Sequence, residues 1–593
     1  MDKPKTNQSL PKWSLAELLD DSAADAVSLA LADFESKVKI VESWRSKLKA
    51  DMTVDEFKLF LSDIESENIA GEKLSSYAGL KFEEDTQNQA ALALMEKLND
   101  IFTDAGNRTL FFSLWWKDLD NESAERLMQA AGTESYWLKH MRLFKPYTLS
   151  EPVEQAINLK DTTGSNALNN LYSLLTDKLE FTLEIDGEKK TMTRGELETY
   201  RHNQDPKLRE AGFKEFFRVF SETGPVLAYI YSAIVRDYYN ETVKLRGFSS
   251  PISVRNLGNN IPDSVIEMLL ALVKKNAGVF QKYFKLKAKW LGVSKLRRYD
   301  LYAPLPMPQK EYGFEEASNL VFEVFGKFSP KMEEYARKVF TDNHIDAQVR
   351  KGKHDGAFCS TPLPQFAPWV LLNYQGNVED VETMAHELGH AVHSQMAKEH
   401  SIHTHHSALP LAETASTFGE MLLMNALLEK ESDIQVKRYL LARMIDGTYA
   451  TVGRQGFFAL WEIAAHKMAV QGATADEISE IYLSNLRDQF GDSLELSEDF
   501  RWEWVTIPHF YSTPFYVYAY AFGELLVYSL YKMYQTEGES FKPKYLEILS
   551  AGGSDSPGNI LAKAGIDIAS EKFWQGGFDA IAELVRELEN LSQ

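Results

Sequence analysis

Two histidines four residues apart, with a glutamate directly after the first, restrict what the stretch 381–393 can be: His386-Glu387-Leu388-Gly389-His390. A helix puts both imidazoles on one face, a turn apart, where they can share one cation. Glu387 then stands beside that cation rather than on it. Hydrolysis by a metal-activated water needs this division: neutral nitrogens hold Zn²⁺ and a carboxylate takes the proton of the attacking water. Asn377 can cap such a helix, which would run through Val378, Val381 and Ala385.

A catalytic zinc takes three protein ligands, so a third is sought downstream. Met396 occupies the place six residues after His390 where a metzincin carries a histidine, which removes that class. The alternative is a glutamate on a following helix. In 410–420, Pro410 suits a first helical turn and Glu413, Thr417 and Glu420 share a face. Glu413 is the expected third ligand. Glu420, two turns on, is placed to hold a histidine ring by its second nitrogen. His400, His403, His405 and His406 are a rival source of ligands, or a polar connecting loop. His393 shares the face of His386 and His390 one turn further on, and reads as a packed or hydrogen-bonded neighbour in preference to a ligand.

The rest of the 593-residue chain reads as mainly α. From 14 to 143 apolar residues recur at three- and four-residue steps, with capped helix starts at Ser14 and Thr53 and with Trp115, Trp116 and Trp137 as core. The segment 145–152 is a break. Residues 179–193 predict a β-hairpin about Asp186-Gly187, and helices follow from Arg194 to Leu245 and from Pro262 to Trp290. The prolines of 299–306 predict an extended run, and a helix is expected from Phe314 to Phe340. A glycine-bearing loop at 351–359 and a short strand at 369–374 predict a small β-sheet near the zinc site. An extended peptide can pair with the edge of that sheet around Trp369, Leu371 and Asn373. Gly352 and Gly356 would permit close approach, or serve as turn glycines. The expected divisions are an N-terminal helical lobe (1–145), a connecting segment with the hairpin (146–200) and a catalytic domain (201–593).

Charge and cysteine content narrow the partners. With 64 Lys and Arg against 86 Asp and Glu, the net charge of −22 repels nucleic acid and anionic membranes, serves solubility, and in a sharper reading favours cationic peptides. The single cysteine, Cys359, excludes an intrachain disulfide framework and fits a reducing compartment. The first eight residues lead into no apolar signal region, and no apolar run has transmembrane length, so the expected location is the cytoplasm.

His386 to His393 followed by Glu413-Thr414-Ala415-Ser416-Thr417 resembles the zinc site of the oligoendopeptidase F branch of the thimet oligopeptidase family. So do Tyr299-Asp300-Leu301-Tyr302-Ala303-Pro304, Gly356-Ala357-Phe358-Cys359, Leu371-Leu372-Asn373-Tyr374, His509-Phe510-Tyr511 and the terminal pair 550–554 and 564–567. The resemblance covers about residue 288 to the C-terminus. It implies two helical lobes enclosing a deep channel that admits short unstructured peptides, with one Zn²⁺ per chain on its floor. It assigns His386, His390 and Glu413 as ligands and Glu387 as general base, in agreement with the residue-level reading. It also implies a histidine and tyrosines that stabilise the oxyanion. His509 is the direct match, Tyr520 is preferred for its relation to Glu524, and Tyr516 lies one turn earlier, whereas Tyr518 points elsewhere; core aromatics with satisfied hydroxyls are the alternative. Ser512-Thr513-Pro514 replaces the glycine-rich loop of the thimet branch. The expected function is a zinc metalloendopeptidase of oligopeptides, against a zinc carboxypeptidase or dipeptidase and a non-catalytic peptide-binding protein. Oligomeric state is not legible.

Overall fold

A computed structural model describes residues 10–20, 25–305 and 310–591 and is built mainly of helices, with three small sheets among the described residues. The first eight residues and the Pro306 end of the 299–306 run lie outside the described residues. Among the described residues no helix is long and apolar enough to cross a membrane. The chain forms two compact units, each assembled from separate segments: 1–151, 309–430 and 533–566 in one, and 152–308, 431–532 and 567–593 in the other. The break expected at 145–152 coincides with the first passage between them. The packing units otherwise differ from the sequential division at 145 and 200.

In the first unit, helix Val54–Glu84 starts with the capping box expected at Thr53, in which Thr53 and Glu56 satisfy each other's backbone N–H groups. Phe57, Phe60, Trp116, Leu127 and Leu138 are buried together, with Trp115 and Trp137 packed at the margin. Ser14 does not begin a helix. Its hydroxyl accepts the Ala16 N–H at 3.3 Å in a short turn. Burial of Trp13, Leu15 and Leu18 against Tyr77, Leu80, Trp369 and Leu371 prevails over helix winding there. The helix expected over Phe314–Phe340 is two, Phe314–Phe328 and Pro330–Thr341, because Pro330 restricts Ser329 to extended geometry.

The small sheet has three strands, and their order overturns one expectation. Trp369–Leu371 is the central strand, parallel to Ile345–Asp346 and antiparallel to Phe358–Ser360. It therefore offers no edge, and Trp369 and Leu371 are wholly buried instead of lining a substrate groove. Asn373 is also occupied: its amide donates to the carbonyls of His354 and Gly356, each at 2.9 Å. Gly352 has φ of 87°, and a Cβ there would lie 2.6 Å from Asp85 Oδ1, so the loop glycines shape the turn. Beneath the loop, Lys353 is fully buried and donates to Asp346 Oδ1 at 2.7 Å and to the Leu372 carbonyl at 2.6 Å. The segment 533–566 closes this unit, with the Tyr545 hydroxyl donating to the Thr414 carbonyl at 3.0 Å and the Gly553 N–H to the Thr404 carbonyl at 2.8 Å.

The second unit contains the predicted hairpin, Phe181–Ile185 paired antiparallel with Glu188–Met192, and Asp186 and Gly187 both take positive φ as a two-residue turn requires. Helix Pro206–Tyr239 continues into a π-helical turn ending at Leu245, and the run after Pro262 is two helices meeting at Asn276. The 299–306 run begins as a 3₁₀ turn, Arg298–Asp300, before it extends. Buried Asp300 pulls it in by accepting from Arg209 Nη2 at 2.8 Å and Arg297 Nε at 2.7 Å.

Replacing Lys353 with Met leaves the buried Asp346 carboxylate with Arg350 alone as its cation. We expect a loss of about 3 kcal/mol, read as a lowered thermal unfolding midpoint; an unchanged midpoint refutes the role given to this pair.

Candidate active site

The motif is helical as predicted: helix Val378–Met396 opens with a capping box between Asn377 and Asp380, and Asp380 also accepts the N–H groups of Gln375 and Gly376. Helix Ser416–Lys430 lies against the motif helix at backbone contact. A Cβ on Gly389 would come within 2.5 Å of the Ala415 carbonyl oxygen, and one on Gly419 within 3.1 Å of the Ala385 carbonyl oxygen. Glu413 is not inside a helix that begins at Pro410, as expected, but between a four-residue turn, Leu409–Ala412, and helix Ser416–Lys430. Its carbonyl already accepts the Thr417 N–H at 3.2 Å, and the Ser416 hydroxyl donates to its Oε2 at 2.7 Å. The side chain is thus aimed before the helix proper begins.

His386 Nε2, His390 Nε2 and Glu413 Oε2 form a triangle with edges of 3.2, 3.3 and 3.4 Å. A tetrahedral zinc with ligands at about 2.0–2.1 Å requires edges of about 3.3–3.4 Å. The donor set and its dimensions therefore fit Zn²⁺, and this is the one such cluster of His, Cys, Asp and Glu found among the described residues. Glu420 Oε1 accepts from His386 Nδ1, so two carboxylates seven residues apart address the two nitrogens of one imidazole. That bond fixes the tautomer that turns Nε2 to the centre. His393 is buried and its ring bonds the Ala412 backbone; burial lowers its pKa to about 4. It braces the turn before Glu413.

None of the four loop histidines joins the triangle. His400 Nε2 donates to the Ser550 carbonyl at 2.9 Å and His405 Nε2 to that of Ser394 at 2.7 Å. His403 lies between Glu134 and Asn68 and stacks on Trp137, and His406 bonds the Thr361 backbone.

Glu387 is 6 % exposed, and burial raises its pKa above the ordinary carboxylate range. Burial would also raise Glu413, but the hydrogen bond and charge of His390, with His386, outweigh it and hold Glu413 at about 2. Burial opposes protonation of His386, yet Glu420 foremost among the facing carboxylates raises it to about 10. His386, Glu387 and His390 open on a cleft of about 350 Å³ whose wall includes Ala357, Phe358, Cys359 and Thr361. The edge strand Phe358–Ser360 thus runs along the same cleft as the triangle. The sheet edge expected at 369–374 is formed by this strand. Its signal in the sequence was the second loop glycine followed by a short β-prone run. Ser416, which aims Glu413, was also not singled out; a hydroxyl three residues after a carboxylate at a helix start is its signal.

In the second unit the residues of 509–520 gather into a cluster of their own. Tyr520 Oη lies 3.4 Å from His509 Nε2, the His509 and Tyr516 rings stack at 5.7 Å, and Tyr516 meets Tyr520 edge-on at 5.2 Å. Burial lowers the pKa of His509. Tyr516 precedes helix Tyr518–Glu537 instead of belonging to it. Tyr518 points elsewhere, as expected, and its hydroxyl accepts from Asn259 at 2.7 Å.

Comparison with known proteins bears on the whole chain. Residues 199–580 match the model of peptidase family M3, and residues 115–181 match a model described as oligopeptidase F. The oligopeptidase PepF of Bacillus subtilis is 27% identical over 536 residues, covering 88% of this chain and 78% of that protein. An oligoendopeptidase F homologue of Borreliella burgdorferi is 27% identical over 573 residues, 94% of each. The crystal structure of oligoendopeptidase-F from Enterococcus faecium superposes with a TM-score of 0.74 at 24% identity, covering 95% of this chain and 98% of that one.

Two outcomes test the site. Gly389→Ala should separate the two helices and weaken zinc binding more than about tenfold, measured by chelator competition; undiminished affinity would show that the close approach is not needed. Cation-free His386 keeps its extra proton below about pH 10 and cannot keep it when Nε2 holds a cation. Zinc binding at pH 8 should therefore release at least one proton and tighten as pH rises toward 10, by calorimetry in buffers of different ionisation enthalpy; no proton release contradicts the assigned ligand.

Proposed function

The chain belongs to peptidase family M3, and we propose that it is a zinc-dependent endopeptidase that hydrolyses internal bonds of short, unstructured oligopeptides. The membership makes it a metallopeptidase. The observation that most supports the finer reading is the triangle of His386, His390 and Glu413, whose edges match a zinc coordination shell. Zinc bound there would polarise the scissile carbonyl and activate water for attack.

The chain's own residues would do the rest. Glu387, adjacent to both ligands and pushed up by burial, takes the proton from the attacking water and delivers it to the leaving amine. Glu420 keeps the His386 ring oriented, and Ser416 keeps Glu413 aimed. Tyr520, Tyr516 and His509 are assigned as hydrogen-bond donors to the oxyanion, on the family resemblance and on their clustering. The substrate backbone is assigned to the edge strand Phe358–Ser360, which gives recognition through main-chain hydrogen bonds and hence tolerance of side chains. A reducing, cytoplasmic location accords with the single Cys359.

The test uses internally quenched peptides blocked at both ends. The wild-type protein should cut them internally and lose that activity to a chelator, whereas an enzyme restricted to chain termini would leave them intact. Glu387→Gln should lower kcat by more than about 10³-fold with zinc content unchanged. Normal cleavage by that variant, with contaminating protease excluded, would sink the general-base role.

A further inference from the structure

The turn that presents Tyr516 is held from behind by a buried carboxyl group. Phe515 has φ of 57°, a conformation that a bulky residue rarely adopts unless its surroundings impose it. The peptide unit joining Pro514 to Phe515 is gripped at both ends. Its N–H donates to Glu462 Oε1 at 2.8 Å, and its carbonyl oxygen lies 3.3 Å from both Nε and Nη2 of Arg255. Together the two contacts leave this peptide plane no freedom to rotate.

Glu462 sits in helix Gln455–Val470 with no exposed surface, and its second oxygen makes no protein hydrogen bond. His466 Nε2 stands 3.8 Å from Oε1, and its ring packs on Phe515 with centroids 4.4 Å apart. An acid in such surroundings is costly and contributes no ion pair with a direct hydrogen bond. Burial pushes its carboxyl up to about 8, so the neutral acid is the form present at pH 7 and glutamine is its close mimic.

The fixed peptide leads straight into the cluster of His509, Tyr516 and Tyr520. Thr513 N–H donates to the His509 carbonyl at 3.0 Å, and Tyr516 N–H to the Thr513 carbonyl at 3.2 Å, so the short helix His509–Ser512 runs directly into the turn that ends at Tyr516. Tyr516 follows Phe515 directly and touches both His509 and Tyr520. Rotation of the Pro514–Phe515 peptide would carry the Tyr516 ring away from its partners.

We propose that Glu462, assisted by Arg255, is a positioning residue for catalysis: by holding the Pro514–Phe515 peptide it fixes the aim of Tyr516, and through it of His509 and Tyr520. The inference rests on the reading of those three residues as oxyanion donors. A group that acts on the transition state alone lowers kcat when misplaced and leaves ground-state binding intact.

The test compares Glu462→Leu, Glu462→Gln, Arg255→Met, Tyr516→Phe and Tyr520→Phe in the zinc-loaded full chain. It measures kcat and KM on a quenched peptide, zinc content, and affinity for a phosphinic peptide that mimics the tetrahedral intermediate. Glu462→Leu should lower kcat about 10- to 100-fold with KM within about twofold. It should weaken the phosphinic peptide by a similar factor and keep one zinc per chain. Glu462→Gln, which retains the acceptor, should recover kcat to within about threefold of wild type. Wild-type kcat in Glu462→Leu, while either tyrosine variant is impaired, overturns the proposal and leaves the oxyanion reading standing. Equal impairment of Gln and Leu variants also overturns it, since the acceptor would then not be what matters. Should Glu462→Leu fail to fold, half-buried Arg255→Met carries the test: a several-fold fall in kcat at constant KM supports the proposal, and wild-type kcat refutes it. Full kcat in both tyrosine variants removes the oxyanion reading, and the proposal with it.

Discussion

Three carboxylates, Glu387, Glu413 and Glu420, crowd two imidazoles, and the charges of such a group are coupled: the carboxylates hold His386 protonated while the imidazoles hold Glu413 ionised. Much of the surrounding structure can be understood as holding these groups together against their repulsion. Gly389 and Gly419 let two helices meet at backbone contact, which brings Glu413 and Glu420 to opposite nitrogens of His386. A proton shared with Glu420 and a divalent cation at Nε2 are two answers to the same electrostatic demand. The Glu420 bond occupies Nδ1, and a cation at Nε2 would displace only the second proton of the ring.

A similar economy governs the second unit, by different means. Around His509, Tyr516 and Tyr520 the ordering forces are aromatic contact and a strained backbone, with few charges. His386 and Glu413 of the triangle are aimed by hydrogen bonds to their own side chains. The turn before Tyr516 is held through the main chain, by a carboxyl and a guanidinium that bond the Pro514–Phe515 peptide. Side-chain identity therefore reports the first kind of support much more openly than the second.

This difference explains what the sequence made legible. The motif helix, its Asn377 cap and the ligand triangle follow from spacing and capping rules acting over a few residues. The hairpin at Asp186-Gly187 is equally local. Sheet order is not local: Trp369–Leu371 becomes the central strand because Trp13, Leu15 and Tyr77, more than 290 residues away in the chain for the nearest of them, bury its side chains. Helix starts at Ser14 and Pro410 were misplaced for related reasons, since hydrophobic burial overrode one cap and a turn displaced the other. Arg298–Asp300 winds into a turn because Arg209, remote in sequence, supplies a buried partner. No window of neighbouring residues contains that information.

The interleaving of the two units also bears on synthesis. The motif helix and the Glu413 turn are complete by residue 430, but the turn is tied through Tyr545 and the adjoining histidine loop through Gly553. Those residues belong to a segment translated more than 100 residues later. A nascent chain therefore carries the His386, His390 and Glu413 triangle through the synthesis of more than 100 further residues without the contacts that finish its scaffold.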